Sequence, residues 1–108
     1  MHQKLTAALF FSATLLSLPS LPAQASEAII KKARCVACHA TDKKMVGPSY
    51  RDVAQRYRGN PEALNLLSAK VRNGGSGVWG AIPMMPHPVD KLGDDDLKSA
   101  VEWILQLQ

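Results

Sequence analysis

Cysteine is scarce in this chain of 108 residues, which contains only Cys35 and Cys38, three positions apart. A disulfide between them would close too short a loop to restrict the unfolded chain much. Small exported domains are often stabilised by disulfides, but a disulfide between these two cysteines would add little stability. The stability of the fold must have another source.

Aromatic residues are also few, at 6% of the sequence, and basic residues are interleaved with acidic ones. Both features argue against nucleic acid as a partner, because nucleic-acid-binding proteins carry a basic stripe or patch. The charge is nevertheless uneven, since residues 26–72 have a net charge of +6 and residues 73–108 a net charge of −3. The basic part is suited to an acidic protein partner.

The longest apolar run, residues 5–18, is short for a membrane span, which needs about 20 residues. Lys4 precedes the run, and the small-x-small sequence Ala-Gln-Ala at residues 23–25 follows it. This pattern predicts a secretory signal peptide, residues 1–25, which is cleaved to leave one domain, residues 26–108. An uncleaved membrane anchor is the alternative. Cleavage predicts an exported protein without stable membrane insertion.

No segment alternates between apolar and polar residues as a half-buried strand does. Four segments have helical periodicity instead, which predicts an all-α fold. Ser26 is predicted to be the N-cap of the first helix, and Gly59 to end the second. Asn60 is predicted to be the N-cap of the third helix, which ends at Asn73-Gly74, and the fourth helix is predicted to start in Asp94-Asp95-Asp96. The first helix is expected to run into Cys35. The predicted inner residues are Ile29, Ile30, Ala33, Tyr50, Val53, Ala54, Tyr57, Leu64, Leu67, Val71, Leu97, Ala100, Val101, Ile104 and Leu105.

The segment from Gly74 to Gly93 is rich in Gly and Pro and is predicted to be a long loop. A loop of that length in a small domain is unusual unless it is functional. The 83 residues left after cleavage are also close to the size at which an apolar core alone stabilises a fold by only a few kcal/mol. Something is expected to supplement this core.

Cys35, Cys38 and His39 form the sequence C-x-x-C-H. On a helix at about 100° per residue, all three side chains would share one face. Residues at i and i+3 have Cβ atoms about 5 to 6 Å apart, so both sulfurs could reach one edge of a flat ligand while the imidazole turns toward its centre. The motif therefore predicts covalent attachment of a c-type haem through two thioether bonds, with the histidine on the iron.

Three other sites could use these residues. A thioredoxin-like dithiol would sit in a βαβ pattern, which the sequence does not show. A zinc site would need two histidines in an H-x3-5-H spacing, whereas His39 follows Cys38 directly and His87 stands apart. A structural disulfide would leave His39 without a role.

A sixth iron ligand could come from Met45, Met84, Met85 or His87. Three prolines stiffen residues 81–88, as suits a segment that holds a weak thioether on iron. Any one methionine could instead fill the core. His87 is expected to be an exposed loop residue.

Three sequences, "CVACHA" from Cys35, "KMVGPSYRDVA" from Lys44 and "NGGSGVWGAIPM" from Asn73, resemble the bacterial class I cytochromes c of the small c551 (c8) type. The resemblance covers nearly all of residues 26–108. It implies a cytochrome c fold of about four short helices around one covalently attached haem c, a periplasmic location and one-electron transfer.

The resemblance also implies site residues. Cys35 and Cys38 resemble the thioether anchors, and His39 resembles the proximal iron ligand. Pro48 occupies the position whose backbone carbonyl bonds the second imidazole nitrogen. Met84, after Ile-Pro, resembles the distal ligand. The haem propionates would be met by Trp79, through its indole N–H, and by Lys70.

Two positions depart from the family pattern. Met84-Met85-Pro86 stands where relatives commonly have a single Met followed by Pro-Pro, so Met85 is the alternative distal ligand. His87 stands where relatives often have an Asn that bonds the ligand sulfur. Loss of that bond would weaken the iron–sulfur bond.

The resulting hypothesis is a soluble, monomeric electron carrier rather than an enzyme, because two protein ligands leave the iron no open position. Its partners would be redox proteins, such as a reductase, an oxidase or a dehydrogenase, with acidic docking sites. The alternative is a haem protein with a labile sixth ligand that acts in peroxide chemistry or gas sensing. The predicted docking patch consists of Val36, Ala37, Met45, Val46, Ile82, Pro83, Met85 and Pro86, ringed by Lys31, Lys32, Lys43 and Lys44.

Overall fold

The computed structural model describes the backbone of residues 22–108 and the side chains from residue 25 onward. The predicted signal peptide thus lies outside the described residues except for its last four. The helices are α1 (Pro22–Lys32), α2 (Tyr50–Tyr57), α3 (Ala63–Asn73) and α4 (Asp94–Leu105), with a single 3-10 turn at Cys35–Ala37 and two short strands, β1 (Gly75–Gly77) and β2 (Gly80–Met84). Within this described part, no helix is both long enough and apolar enough to cross a membrane.

Helix α1 differs from the prediction at both ends. It begins at Pro22, so Ser26 lies inside the helix, and the prediction that Ser26 is the N-cap was wrong. The Ser26 hydroxyl donates instead to the Ser99 carbonyl at 3.3 Å and fastens α1 to α4. The helix also ends before Cys35, because Arg34 adopts a left-handed conformation with φ of 61°.

The ends of α2 and α3 follow local sequence signals. Ser49 caps α2 by accepting a hydrogen bond from the Asp52 N–H at 3.1 Å. The Asn60 carboxamide oxygen accepts from the Glu62 N–H at 2.9 Å, although regular helix begins only at Ala63. Gly74, with φ of 68°, ends α3 as predicted.

The core lies around α4, which packs against the other three helices. All fifteen residues predicted to point inward are buried or half-buried. Leu92 joins them in the main cluster, although it lies in the predicted loop and has no helical periodicity to mark it. The main cluster contains Val53, Leu67, Leu92, Leu97 and Val101, and a second contains Ile30, Tyr50 and Ala100.

A two-stranded antiparallel ribbon interrupts the segment that was predicted to be irregular. Gly75 pairs with Met84, and Gly77 pairs with Gly80. The prediction that residues 74–93 form an irregular loop was therefore wrong over these two strands. The ribbon has no apolar alternation because most of its residues are exposed on both faces, and its three paired glycines have positive φ.

Candidate functional site

Cys35 and Cys38 lie at the two ends of one tight turn. The Cys35 carbonyl accepts hydrogen bonds from the Cys38 N–H at 3.1 Å and the His39 N–H at 3.0 Å. The turn is a 3-10 turn and not part of α1, so the helical geometry assumed from the sequence was wrong. The left-handed conformation of Arg34 changes the direction of the chain between α1 and the 3-10 turn that carries the two cysteines.

The two thiols differ in environment. Cys35 is half-buried and Cys38 is exposed, and both are free cysteines. Burial raises the pKa of the Cys35 thiol, and the neighbouring Cys38 adds to this increase. The raised pKa keeps the Cys35 thiol protonated at neutral pH.

The His39 imidazole has a defined tautomer. Its Nδ1 lies 2.7 Å from the Pro48 carbonyl oxygen. A carbonyl can only accept, so Nδ1 carries the proton and donates. The lone pair is then on Nε2, the nitrogen that a metal would use. The contact that the resemblance implies between His39 and Pro48 is present.

Packing fixes the plane of the same imidazole. A Cβ at Gly47 would come within 3.0 Å of the His39 ring nitrogens, so the glycine backbone lies directly against the ring. The Gly47 N–H donates to the Cys38 carbonyl at 2.9 Å. Tyr50 stacks on the ring with centroids 5.6 Å apart and an interplanar angle of 25°. The ring is thus held by one hydrogen bond and two packing contacts.

Tyr50 carries a buried polar atom beside this motif. The residue is only 4% exposed, and its hydroxyl is buried without a hydrogen-bond partner. Burial raises the pKa of Tyr50, and the Cys35 sulfur raises it further. A buried hydroxyl without a partner is costly, so it marks a place where another group is expected.

Met84 and Met85 differ in exposure and in backbone contacts. Met84 is half-buried and ends β2, where it pairs with Gly75. Met85 is 72% exposed. A side chain at Gly74 would clash with the Met84 carbonyl, so α3 ends in close contact with this segment.

His87 is not the exposed loop residue that was expected. It is half-buried, and its Nδ1 is buried without a hydrogen-bond partner. Its backbone N–H donates to the Val71 carbonyl at 3.0 Å, and its carbonyl accepts from Arg72 at 2.8 Å. These contacts draw the residue against α3. Sequence periodicity carries no signal for them because they involve main-chain atoms.

Trp79 lies in the turn of the ribbon between β1 and β2. The Arg56 guanidinium carbon lies 5.1 Å from the centroid of the Trp79 ring, in cation–π geometry. Lys70 reaches the same ribbon, since its Nζ is 3.6 Å from where a Cβ on Gly75 would be. Arg56 was not predicted as part of this cluster, because nothing in the sequence pairs α2 with the ribbon turn.

Several large apolar side chains are exposed. Ile82 is 67% exposed, and Val36, Met45 and Val46 are each more than 40% exposed. Such surface usually marks an interaction or ligand site. All eight residues of the predicted docking patch are exposed, and so are the four lysines predicted to ring it.

A zinc site finds no support in the described residues. Residues 25–108 contain no group of three or more His, Cys, Asp or Glu side chains placed to hold a metal ion. The donor set at the C-x-x-C-H turn is two thiols and one imidazole, which matches attachment of a prosthetic group rather than a closed tetrahedral cage.

Comparison with known proteins identifies the family. The family model for cytochrome c matches residues 23–108. The chain belongs to the cytochrome c family. Within that family it is a class I cytochrome of the c551 type, and its fold is the cytochrome c fold, as predicted.

The individual relatives cover most of the chain. Cytochrome c-551 of Pseudomonas aeruginosa is 45% identical over 83 residues, which cover 77% of each protein. Cytochrome c-552 of Hydrogenobacter thermophilus is 43% identical over 84 residues, which cover 78% of this chain and 83% of the relative. The crystal structure of wild-type Nitrosomonas europaea cytochrome c552 matches with a TM-score of 0.70 and 41% identity, covering 76% of this chain and 99% of that one.

The family's cofactor is one covalently attached haem c, and electron transport is its role. The residues present fit such a group. Two thiols share a turn, the adjacent imidazole has a free Nε2, and a buried tyrosine hydroxyl beside them lacks a partner.

Proposed function

We propose that this cytochrome is a periplasmic one-electron carrier whose haem is anchored by Cys35 and Cys38 and ligated by His39 and Met84. The observation that carries the proposal is the hydrogen bond from His39 Nδ1 to the Pro48 carbonyl. It fixes the tautomer and orientation that an iron ligand needs. When bound, the haem supplies an iron that cycles between Fe(II) and Fe(III).

The thiol turn acts as the covalent anchor in this proposal. Cys35 and Cys38 are held at the ends of one 3-10 turn by hydrogen bonds to the Cys35 carbonyl. Both side chains are free thiols, which thioether formation requires. Because His39 follows directly, anchoring also places the imidazole.

Gly47, Pro48 and Tyr50 support the proximal side. The Pro48 carbonyl holds the proton on Nδ1 and makes Nε2 a stronger donor. Gly47 and Tyr50 pack against the ring and keep it from turning. The ligand thus needs little rearrangement when the charge of the metal changes.

Met84 is favoured over Met85 as the distal ligand by burial and by backbone pairing. The Met84 backbone is fixed in the ribbon opposite Gly75, and its side chain is half-buried. Met85 exposes 72% of its surface to solvent. Methionine with histidine favours a relatively high reduction potential, as suits a carrier.

Trp79 and Lys70 are proposed to meet the propionates. Lys70 lies beside Gly75 at the start of β1, and Trp79 lies in the turn between β1 and β2, so both belong to the same ribbon. Arg56, whose guanidinium lies over the Trp79 ring, adds a further hydrogen-bond donor beside Trp79.

The proposal extends to the location of the protein and to its partners. The predicted signal peptide supports a periplasmic location. Two protein ligands leave no open iron position, which supports a carrier rather than an enzyme. The exposed apolar patch and its four exposed lysines support docking, as a monomer, to redox proteins with acidic sites.

The test is a matched pair of variants, Met84→Ala and Met85→Ala, examined by the visible spectrum of the oxidised protein. Met84→Ala should remove the weak long-wavelength band of iron–methionine ligation and lower the reduction potential. Met85→Ala should leave both unchanged. If Met85→Ala removes the band and Met84→Ala does not, the ligand is Met85. If the band persists in both variants, neither methionine is the ligand.

A further inference from the structure

Arg72 joins three separate parts of the chain from the last turn of α3. One guanidinium nitrogen, Nη1, donates to the His87 carbonyl at 2.8 Å and to the Leu92 carbonyl at 2.6 Å. The other, Nη2, pairs with the Asp94 carboxylate at 2.6 Å. The Arg72 side chain is only 20% exposed, so solvent competes little for its bonds to the two carbonyls. The Asp94 carboxylate is 83% exposed, so its pair with Nη2 is open to water and is the weaker part of the network.

The segment that begins at Met84 is held at both ends by α3 and the residues just after it. At one end, Met84 pairs with Gly75. At the other, the His87 N–H donates to the Val71 carbonyl and the His87 carbonyl accepts from Arg72. Consecutive residues of α3 therefore bind both main-chain polar groups of His87, three positions after Met84.

Arginine is suited to this place because its planar fork carries several donors in fixed directions. Arg72 uses them on two carbonyls and one carboxylate at once. Leu92 is a core residue, 4% exposed, and Asp94 opens α4, so the far side of the network is anchored in the core and at the start of a helix. A lysine carries its three N–H donors on one nitrogen and lacks the planar fork that directs Nη1 and Nη2 to separate partners.

We propose that Arg72 is a positioning residue for the distal methionine. By joining His87 to the core, Arg72 holds the segment that contains Met84 in the position from which its thioether would bind the iron. The inference rests on the proposed function, because it takes Met84 as the ligand. Without Arg72, the His87 carbonyl loses its partner, and the segment can move away from its ligating position more often.

The test measures how readily added imidazole displaces the native ligand from the oxidised, haem-loaded protein. The apparent affinity for imidazole reports the fraction of molecules in which the methionine has left. Arg72→Gln should bind imidazole about tenfold more tightly than the unmodified protein, with a weaker long-wavelength band. The imidazole affinity of Arg72→Lys should lie between those of Arg72→Gln and the unmodified protein, since lysine keeps the charge but not the planar fork of donors.

Arg58→Gln is the matched control. Arg58 is exposed at the end of α2, and its loss removes the same charge. It should leave the imidazole affinity within about twofold of the unmodified protein. The melting temperature of each variant is measured beside it, because a merely structural role would lower that temperature without changing the imidazole affinity.

The two proposals fail in different ways. If Met84→Ala leaves the spectrum unchanged, the proposed ligand is wrong whatever Arg72 does. If Met84→Ala removes the band while Arg72→Gln and Arg72→Lys bind imidazole as the unmodified protein does, the role of Arg72 is overturned. Arg72→Lys keeps the test decisive if Arg72→Gln does not fold.

Discussion

His39 is held by groups that have little freedom to move. Pro48 bonds one nitrogen, while Gly47 and Tyr50 pack against the ring. The C-x-x-C-H spacing predicted the attachment chemistry because it depends only on neighbouring residues. The packing of Gly47 on the ring could not be predicted, because it depends on how the chain returns after His39.

Gly47→Ala tests this packing directly. The new Cβ would lie 2.8 Å from His39 Nδ1, and the ring cannot swing away without breaking its bond to Pro48. Such overpacking typically costs about 1 to 3 kcal/mol. For a domain of this size the melting temperature should fall by roughly 4 to 8 °C for each kcal/mol, as measured by thermal unfolding of the haem-loaded protein.

Gly93→Ala is the control for that substitution. A Cβ at Gly93 would meet nothing within 4 Å, and the residue has an ordinary φ of −62°. Gly93 is the N-cap of α4, where Ala is less favourable than Gly, so the variant should lose up to about 1 kcal/mol, less than Gly47→Ala. Equal losses in the two variants would contradict the account of the His39 packing.

The burial of Tyr50 predicts a loss of stability at alkaline pH. Burial, with a further contribution from Cys35, raises the pKa of its hydroxyl, while the unfolded chain releases that proton near pH 10. Above that pH the folded protein binds one proton more than the unfolded chain, so its free energy of unfolding falls as pH rises, by up to about 1.4 kcal/mol per pH unit.

Tyr50→Phe should remove this part of the alkaline loss, as measured by denaturant unfolding between pH 8 and about pH 11. Curves that fall in parallel for both proteins would contradict the burial of the hydroxyl.

At the scale of elements, the helices were predictable and the connections were not. The apolar positions of all four helices are buried or half-buried as their periodicity predicted. The end of α1 was missed because Arg34 takes a positive φ that non-glycine residues rarely adopt. The ribbon was missed because glycines replace the apolar alternation that marks a strand.

Gly74 is the joint between α3 and this ribbon. It has φ of 68°, and an added Cβ would clash with the Met84 carbonyl and lie 2.9 Å from the Pro86 nitrogen. Gly74→Ala should therefore destabilise the fold and also weaken the long-wavelength band, because the clash pushes on the backbone of the proposed ligand. Thermal unfolding and the oxidised spectrum measure the two effects.

Gly59→Ala separates strain from clash. Gly59 has a similar φ of 76°, and nothing lies within 4 Å of its Cβ position. It should cost about 1 to 2 kcal/mol through backbone strain alone and leave the spectrum unchanged. A band weakened equally in both variants would rule out the contact with Met84 as the cause.

At the scale of the whole molecule, the apolar groups of the chain are only partly buried by one another. α4 packs on three helices, yet Leu66, Val78 and Val89, which lie outside the predicted docking patch, are each more than 40% exposed. The small size and the long connection after Gly74 predicted that a further group completes the core, and membership of the cytochrome c family supplies it. The Arg72 network and the position of Leu92 needed the structure, because main-chain partners leave no sequence pattern.

The central claim is that His39 and Met84 both bind the iron, which makes the protein an electron carrier. The most direct measurement is the visible spectrum of the oxidised and reduced protein, recorded with and without carbon monoxide. We expect a low-spin spectrum with the long-wavelength band in the oxidised state and no spectral change when carbon monoxide is added to the reduced state. A high-spin spectrum, or ready binding of carbon monoxide, would contradict the claim and favour a haem with a labile sixth ligand.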